Sequence, residues 1–554
     1  MITQPHSVYI NWAAYDELSD TVELTEELAM RELDELLRLR RAGVRFDYYV
    51  MDCFWFARDG GYRTWRKPHW PNGPEAWLTR CLENGVRPGL WVASDASSRM
   101  DYIPAWADSY NRRKSAMCSF AGDFLPDFIS MMTYWVERGV ELFKFDFAEF
   151  AAAPPHLEEA LLPSEIRAAN ITAFQGALKA FRKLHPHVML LAYNGFSEGS
   201  TGENTLSVPL KTVDSGWLEC FDSLYCGDPR LSDVPMMNFW RSKDLYSDHM
   251  VRYYEFNGIP LSRIDNTAFM IGTTGTCYYR GAAAWKGMLL LSLARGGWMN
   301  TYYGNLELLS DEDGEWFAQA QNLFYPLQAD ALFQTFGPMP GAGKPFGYTA
   351  FRGENGLITV VNPSQETLSV PLSASGPMRL LFCDAGFAPV LSEGMVTLGA
   401  EQMAVIGVGS YAEPRYDLGS SPDVLIPAGI DKLDTAFTPD GEKAMTATLT
   451  APTLGRLRVI MRQLKPDGMP QRTTSGSPPK QVSLGRILTI QAFQNDREVP
   501  VTIAYDKIIW SGLSWAVGEV DSADLTPGQS VTVRCASTEP AAVTLTGEVY
   551  RVEY

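Results

Sequence analysis

The stretch ELFKFDFAEF (141–150) sets a lysine and an aspartate two residues apart in an otherwise apolar run, with Glu149 close behind. A run that apolar reads as a buried strand, where charge is costly unless it is paired. Side chains alternate along a strand, so Lys144 and Asp146 share one face while Phe143, Phe145 and Phe147 take the other. An ammonium a few ångströms away lowers a carboxylate's pKa and keeps it ionised in a partly desolvated pocket. A fixed, ionised carboxylate suits a nucleophile or an electrostatic base; the plain alternative is a buried structural Lys–Asp pair. Acid/base work needs a second carboxylate. Asp228 closes the strand-like LECFDSLYCGD (218–228), where Gly227 permits a tight bend and Pro229 stops the strand. Asp222 lies inside that run and suits binding or structure. Carboxylates paired from different strands match glycoside hydrolysis, in which one attacks and the other shuttles a proton.

The elements that must position these groups follow a simple rhythm. From residue 1 to about 335, short apolar strands alternate with amphipathic helices, beginning with VYINW (8–12) and the leucine-striped TEELAMRELDELLRLRRAG that Gly43 ends. Further strands are expected at 46–56, 86–94, 140–147, 188–196, 218–228, 266–272 and 298–305. Eight strands separated by helices predict an α/β fold, a (β/α)8 TIM barrel. In such a barrel the chemistry sits at the C-terminal strand ends. Those ends carry Trp12, Asp52, Trp91 with Asp95, Lys144 with Asp146, Asn194, Asp222 with Asp228, and Asp265. Carboxylates recur there. The six histidines form no metal-ligating pair at a strand end, and no G-x-G-x-x-G turn follows an early strand, so neither a metal nor another cofactor is expected. The Gly/Pro-rich GPMPGAGKPFG (337–347) marks a junction. Beyond it, alternating segments broken by turn residues predict an antiparallel β-sandwich over 336–410 and an additional C-terminal β-sandwich over 411–554.

A formal charge of −18 argues against nucleic acid or an anionic membrane surface as a partner. No segment reaches the roughly 18 apolar residues of a membrane helix, and MITQPHSVYI lacks a signal peptide's basic and apolar regions. Eight cysteines without a C-x-x-C pair read as reduced, buried thiols. A cytoplasmic protein is expected, with assembly into a homo-oligomer left open.

In order along the chain, MDCFW (51–55), GLWVASD (89–95), KFD (144–146), YCGD (225–228) and PLSRIDNTAFMIGTTG (260–275) resemble the strand motifs of glycoside hydrolase families 27 and 36. These are largely α-galactosidases and α-N-acetylgalactosaminidases. The resemblance spans roughly residues 8–410. It implies a retaining, exo-acting α-glycoside hydrolase working by double displacement, with Asp146 as nucleophile and Asp228 as acid/base. Trp12, Asp52, Trp91, Lys144, Asn194 and Asp265 would bind the terminal sugar of a glycoside or oligosaccharide. Met51 stands where family 27 has a sugar-binding aspartate, Leu224 replaces an arginine, and the large N-terminal β-domain of family 36 is absent. Three alternatives stay open: another α-glycoside (an α-N-acetylgalactosaminide or an α-glucoside), a non-catalytic carbohydrate-binding barrel, and a Schiff-base lysine at Lys144. The last requires a lowered lysine pKa, which a neighbouring aspartate opposes.

Overall fold

A computed structural model describes residues 2–12, 14, 23–53, 55–97, 102–196, 214–227, 229–265, 269–272, 284–392, 394–473, 482–504, 507–508 and 512–554. Its N-terminal half is a curled, wholly parallel sheet wrapped by helices, a TIM-barrel-like core. The strands are β1 (His6–Ile10), β2 (Tyr48–Met51), β3 (Arg87–Ala93), β4 (Leu142–Asp146), β5 (Met189–Ala192), β6 (Ser223–Tyr225), β7 and β8 (Met299–Gly304). β7 comes in two pieces, Ile264–Asp265 paired with β6 and Met270–Ile271 paired with β8. β8 returns to pair with β1, His6 opposite Met299, and the sheet thereby curls back on itself. Across the split strand, the Trp298 amide donates to the Ser262 carbonyl at 3.0 Å.

Each helix is built to lie on this sheet. In α1 (Glu26–Arg41), the Thr25 side chain accepts the Leu28 amide, acids fill the first turn and arginines the last, complementing the helix dipole. Its buried stripe is Leu28, Ala29, Leu33, Leu36 and Leu39, and Gly43, at φ +101°, ends the turn. α2 (Glu75–Glu83), α3 (Phe124–Val136) and α4 (Pro163–Leu184) follow β2, β3 and β4. The phenylalanine face of β4 meets them as strand alternation requires. Phe143 sits against Phe181 of α4, and Phe145 against Phe128 of α3 and Phe174 of α4. The run 218–228 is mostly not strand. Ser215–Glu219 forms a 3-10 turn and only Ser223–Tyr225 pairs.

α5 (Phe239–Phe256), α6 (Trp285–Ala294) and α7 (Asp311–Asp330) complete the barrel wall. α5 buries charge as well as apolar surface. Arg241 pairs with Asp244 at 3.0 Å and with Asp384 at 2.6 Å, and Asp248 binds Arg295 at 2.7 Å. Asp384 belongs to a six-stranded, mainly antiparallel sheet, so the Arg241–Asp384 pair bolts the barrel to it. That sheet takes its edge strands from Leu332–Phe336 and Gly419–Leu425, outside 336–410, and faces a three-stranded sheet over residues 368–398. Two five-stranded antiparallel sheets drawn from residues 429–553 enclose a core of their own. No helix among the described residues is long and apolar enough to cross a membrane.

Candidate active site

β3, β4 and β5 run in register, with Ala93 beside Asp146 and Trp91 beside Lys144. Asp146 is therefore the last residue of its strand, at the C-terminal rim. It is 6% exposed and ringed by donors. Its Oδ1 accepts the Phe147 amide at 2.9 Å, the Asn194 amide at 3.1 Å and Asn194 Nδ2 at 3.0 Å. Its Oδ2 accepts Trp91 Nε1 at 3.1 Å. Trp91 is buried, so it serves this carboxylate with its ring nitrogen and presents no open wall.

The turn behind Asp146 is unusual. Phe147 and Phe150 adopt positive φ of 49° and 51°, a conformation that costs energy for side chains of this kind. Asp95 holds it, its two carboxylate oxygens accepting the Glu149 amide at 2.5 Å and the Phe150 amide at 2.7 Å. Burial pushes the Asp95 carboxyl up to about 7, against the pull of those two amides. Gly195 completes the turn at φ +100°, where an added Cβ would lie 1.9 Å from the Ala148 carbonyl oxygen. Glu149 is exposed at the rim, and its carbonyl accepts Arg167.

Lys144 turns to Asp52, Nζ to Oδ2 at 2.8 Å, rather than to Asp146 for its ion pair, and both partners are buried. Burial pulls the lysine pKa down, but the charges of Asp52 and Asp146 outweigh it and hold the ammonium above its ordinary range. That is the opposite of what a Schiff-base lysine requires. For Asp146, burial pushes the carboxyl up, and the opposing pull of Lys144, Trp91 and Asn194 does not cancel it. The lowering expected from Lys144 alone is thus reversed, because the ammonium is desolvated along with the carboxyl and spends its hydrogen bond on Asp52.

The remaining residues close into the same cluster. The Lys144 ammonium lies 4.1 Å from the Tyr193 ring centre and 5.5 Å from that of Tyr303. Tyr193 donates to Asp265 at 2.9 Å and shares a 2.7 Å hydrogen bond with Tyr303. Asp265 also accepts Thr301, and burial pushes its carboxyl up to about 6. Trp12, partly buried, meets Tyr303 edge-on at 6.4 Å. Asp222 sits at the opposite end of β6, gripped by Arg182 at 2.8 Å and by the Ile2 and Leu190 amides, a structural role. Asp228 lies outside the described residues. Tyr193, Tyr303, Thr301 and Asn11, whose Oδ1 accepts the Asp52 amide at 2.8 Å, were not singled out from sequence. Tyr193 and Tyr303 stand at strand ends in YNGF and TYYGN, so the strand-end search that selected Asn194 also reaches them.

Among solved structures, the chain is similar to a GH36 α-galactosidase from Geobacillus stearothermophilus in complex with raffinose. Identity is 13% and the TM-score 0.50, over 73% of this chain and 56% of that one. The galactosidase domain of the α-galactosidase-sucrose kinase AgaSK matches with TM-score 0.51 at 13% identity, over 73% of this chain and 55% of that one. The α-galactosidase from Lactobacillus brevis gives 0.52 at 11%, with the same two coverages. The fold is that of the GH36 α-galactosidases. This chain spans just over half the length of those structures. No protein-family profile and no curated protein sequence matches it. Within the GH36-like barrel, no group of three or more His, Cys, Asp or Glu side chains among the described residues is placed to hold a metal ion.

Proposed function

We propose that the protein is a retaining, exo-acting α-glycoside hydrolase of α-galactosidase type. The observation that carries this reading is the Asp146 carboxylate: it ends a barrel strand, is buried, and receives four hydrogen bonds that fix its orientation. Three donors fall on Oδ1 and one on Oδ2, so Oδ2 keeps the freer lone pair and is the attacking atom. In the first step Oδ2 bonds to C1 of the terminal sugar while the C1–O bond to the aglycone breaks, and Asp228 gives its proton to the leaving oxygen. In the second, Asp228 takes a proton from water, the water oxygen bonds to C1, and Asp146 leaves as a carboxylate. Lys144 has three N–H donors and spends one on Asp52, so others are free in number to reach a sugar hydroxyl. Trp12, Asn194 and Asp52 complete the proposed sugar contacts, with Asp265 acting through Tyr193.

A second sugar is favoured by one feature. Met51 is buried, and its sulfur accepts Asn11 Nδ2 at 3.0 Å, so the carboxylate that family 27 offers at this position is replaced by a thioether. An α-glucoside is the runner-up substrate on that ground. Nitrophenyl α-glycosides of galactose, N-acetylgalactosamine, glucose and xylose test the reading. Turnover of at least one is expected, with loss in Asp146→Asn. A mechanism-based covalent inhibitor should label the 141–150 peptide, and label found elsewhere would refute the nucleophile.

A further inference from the structure

The loop that leaves β6 immediately after residue 228 is held from outside the barrel. Its described residues, 229–238, lead into α5. Three side chains of the C-terminal domain grip its first half. Trp515 Nε1 donates to the Ser232 carbonyl at 2.9 Å, Ser514 Oγ to Asp233 Oδ1 at 2.7 Å, and Arg472 Nη2 to the Leu231 carbonyl at 3.0 Å. Arg472 Nε also lies 3.1 Å from Asp233 Oδ1. Leu231, Ser232, Asp233, Ser514 and Trp515 are all buried. Leu231 and Phe239 belong to the apolar core of the C-terminal sheets rather than to that of the barrel. The second half is tied by Glu401 of the six-stranded sheet's domain, which accepts the Met237 and Asn238 amides at 2.8 and 2.7 Å. Glu401 is in turn paired with Arg458 of the C-terminal sheets at 3.3 Å.

Directional hydrogen bonds fall on consecutive residues, 231 to 233, within five positions of residue 228. We propose that Arg472, Ser514 and Trp515 are positioning residues for the glycosidase reaction, holding the 229–238 loop that directly follows Asp228 in the chain. This rests on the proposed function, in which Asp228 is the acid/base.

The consequence is a dependence on leaving group. Protonation of the aglycone matters greatly for an alkoxide and little for dinitrophenolate, and kcat/KM reports the glycosylation step alone. Full-length Arg472→Gln/Ser514→Ala and, separately, Trp515→Phe are compared with wild type on methyl and 2,4-dinitrophenyl α-glycosides of the sugar it hydrolyses. General acid catalysis contributes about 100- to 10,000-fold, so partial misplacement should cost about 10- to 100-fold on the methyl glycoside and under about threefold on the dinitrophenyl one. Hydrogen exchange should rise in the 229–238 peptide and stay unchanged in 141–150. Equal losses on the two substrates, or unchanged exchange at 229–238, overturn the proposal. A wild type that turns over no aryl α-glycoside overturns the proposed function and the catalytic half of this inference with it. The exchange comparison needs no turnover and separates that failure from a failure of the clamp.

Discussion

Trp91→Phe isolates one hydrogen bond to the proposed nucleophile. It removes the indole N–H that reaches Asp146 Oδ2 at 3.1 Å and keeps an aromatic ring facing Phe56, which stacks on Trp91 at 6.1 Å and 2°. A hydrogen bond to a charged group is worth about 1.5–3 kcal/mol. Most of that favours the carboxylate over the acid, and one pKa unit corresponds to about 1.36 kcal/mol. Burial already raises the Asp146 pKa, and Trp91 is one of the groups opposing the rise. Losing it should lift the pKa by a further one to two units, by about that ratio. Protonated Asp146 cannot attack C1, so activity is lost as pH falls through this pKa. The acid limb of the kcat/KM profile on an aryl α-glycoside should therefore move to higher pH by that amount, while the alkaline limb stays. Thermal melts at the same pH values separate this from the packing cost of the smaller ring. An acid limb that stays put, or moves down, would refute the argument that Trp91 acts on the ionisation of Asp146.

Three other perturbations test neighbouring parts of the argument. Glu32 is buried in α1, hydrogen-bonded by Tyr49, and burial pushes its carboxyl up to about 8 from an ordinary 4.5. Its folded-state pKa exceeds its unfolded one, so its stabilising contribution is intact below about pH 4.5 and is lost as pH rises towards 8, by up to about 5 kcal/mol. Glu32→Gln should flatten that slope in urea melts; a gap between variant and wild type that does not grow with pH would exclude this. Asp95→Asn leaves a single acceptor oxygen for two amides, so the Glu149–Phe150 turn should loosen at a cost of about 1–3 kcal/mol, read as a drop in melting temperature together with kcat. Gly195→Ala pushes a Cβ into the Ala148 carbonyl at a positive φ and should cost more than about 1 kcal/mol; an unchanged melting temperature would show that the turn yields.

Alternation made β4 legible. Phe143 and Phe145 on one side and Lys144 with Asp146 on the other follow from the pleat alone, and the contacts with α3 and α4 agree; Phe147, expected beside the other two phenylalanines, lies past the strand end at positive φ and meets Trp91. The strand-to-helix rhythm was equally readable, because each βα unit writes its own apolar run and its own stop. Three things escaped for physical reasons. The partner of Lys144 was expected to be its neighbour Asp146, yet a lysine's long stem reaches across the sheet to Asp52, ninety-two residues away, a distance no local spacing encodes. The length of β6 was overread, since LECFDSLYCGD carries Leu218, Cys220, Phe221, Leu224, Tyr225 and Cys226 along its length while pairing occurs only over Ser223–Tyr225. Apolarity reports burial rather than pairing, and Cys220, Phe221 and Cys226 are buried without belonging to a strand. The extent of the six-stranded sheet was hidden in the same way, because Gly419–Leu425 joins it in parallel with Met378–Ala385 across more than thirty residues of chain.

The pairing of Lys144 with Asp52 changes what the site can do. Had the lysine bound Asp146, the mouth would hold a neutral pair with its proposed nucleophile occupied. Instead the ammonium pairs with Asp52 and is cushioned by the faces of Tyr193 and Tyr303, whose quadrupoles favour a cation. Asp146 is left with dipolar donors only: two amides, a carboxamide and an indole. Neutral donors orient a carboxylate and stabilise its charge without cancelling it. Glycoside cleavage through an oxocarbenium-like transition state develops positive charge on the sugar ring. A preorganised negative group aimed at that charge, in a site from which water is largely excluded, is worth more than the same group in water. The elevated Asp146 pKa is then the expected companion of that arrangement: burial that raises the energy of the bare carboxylate is relieved as cationic character builds at C1 beside it.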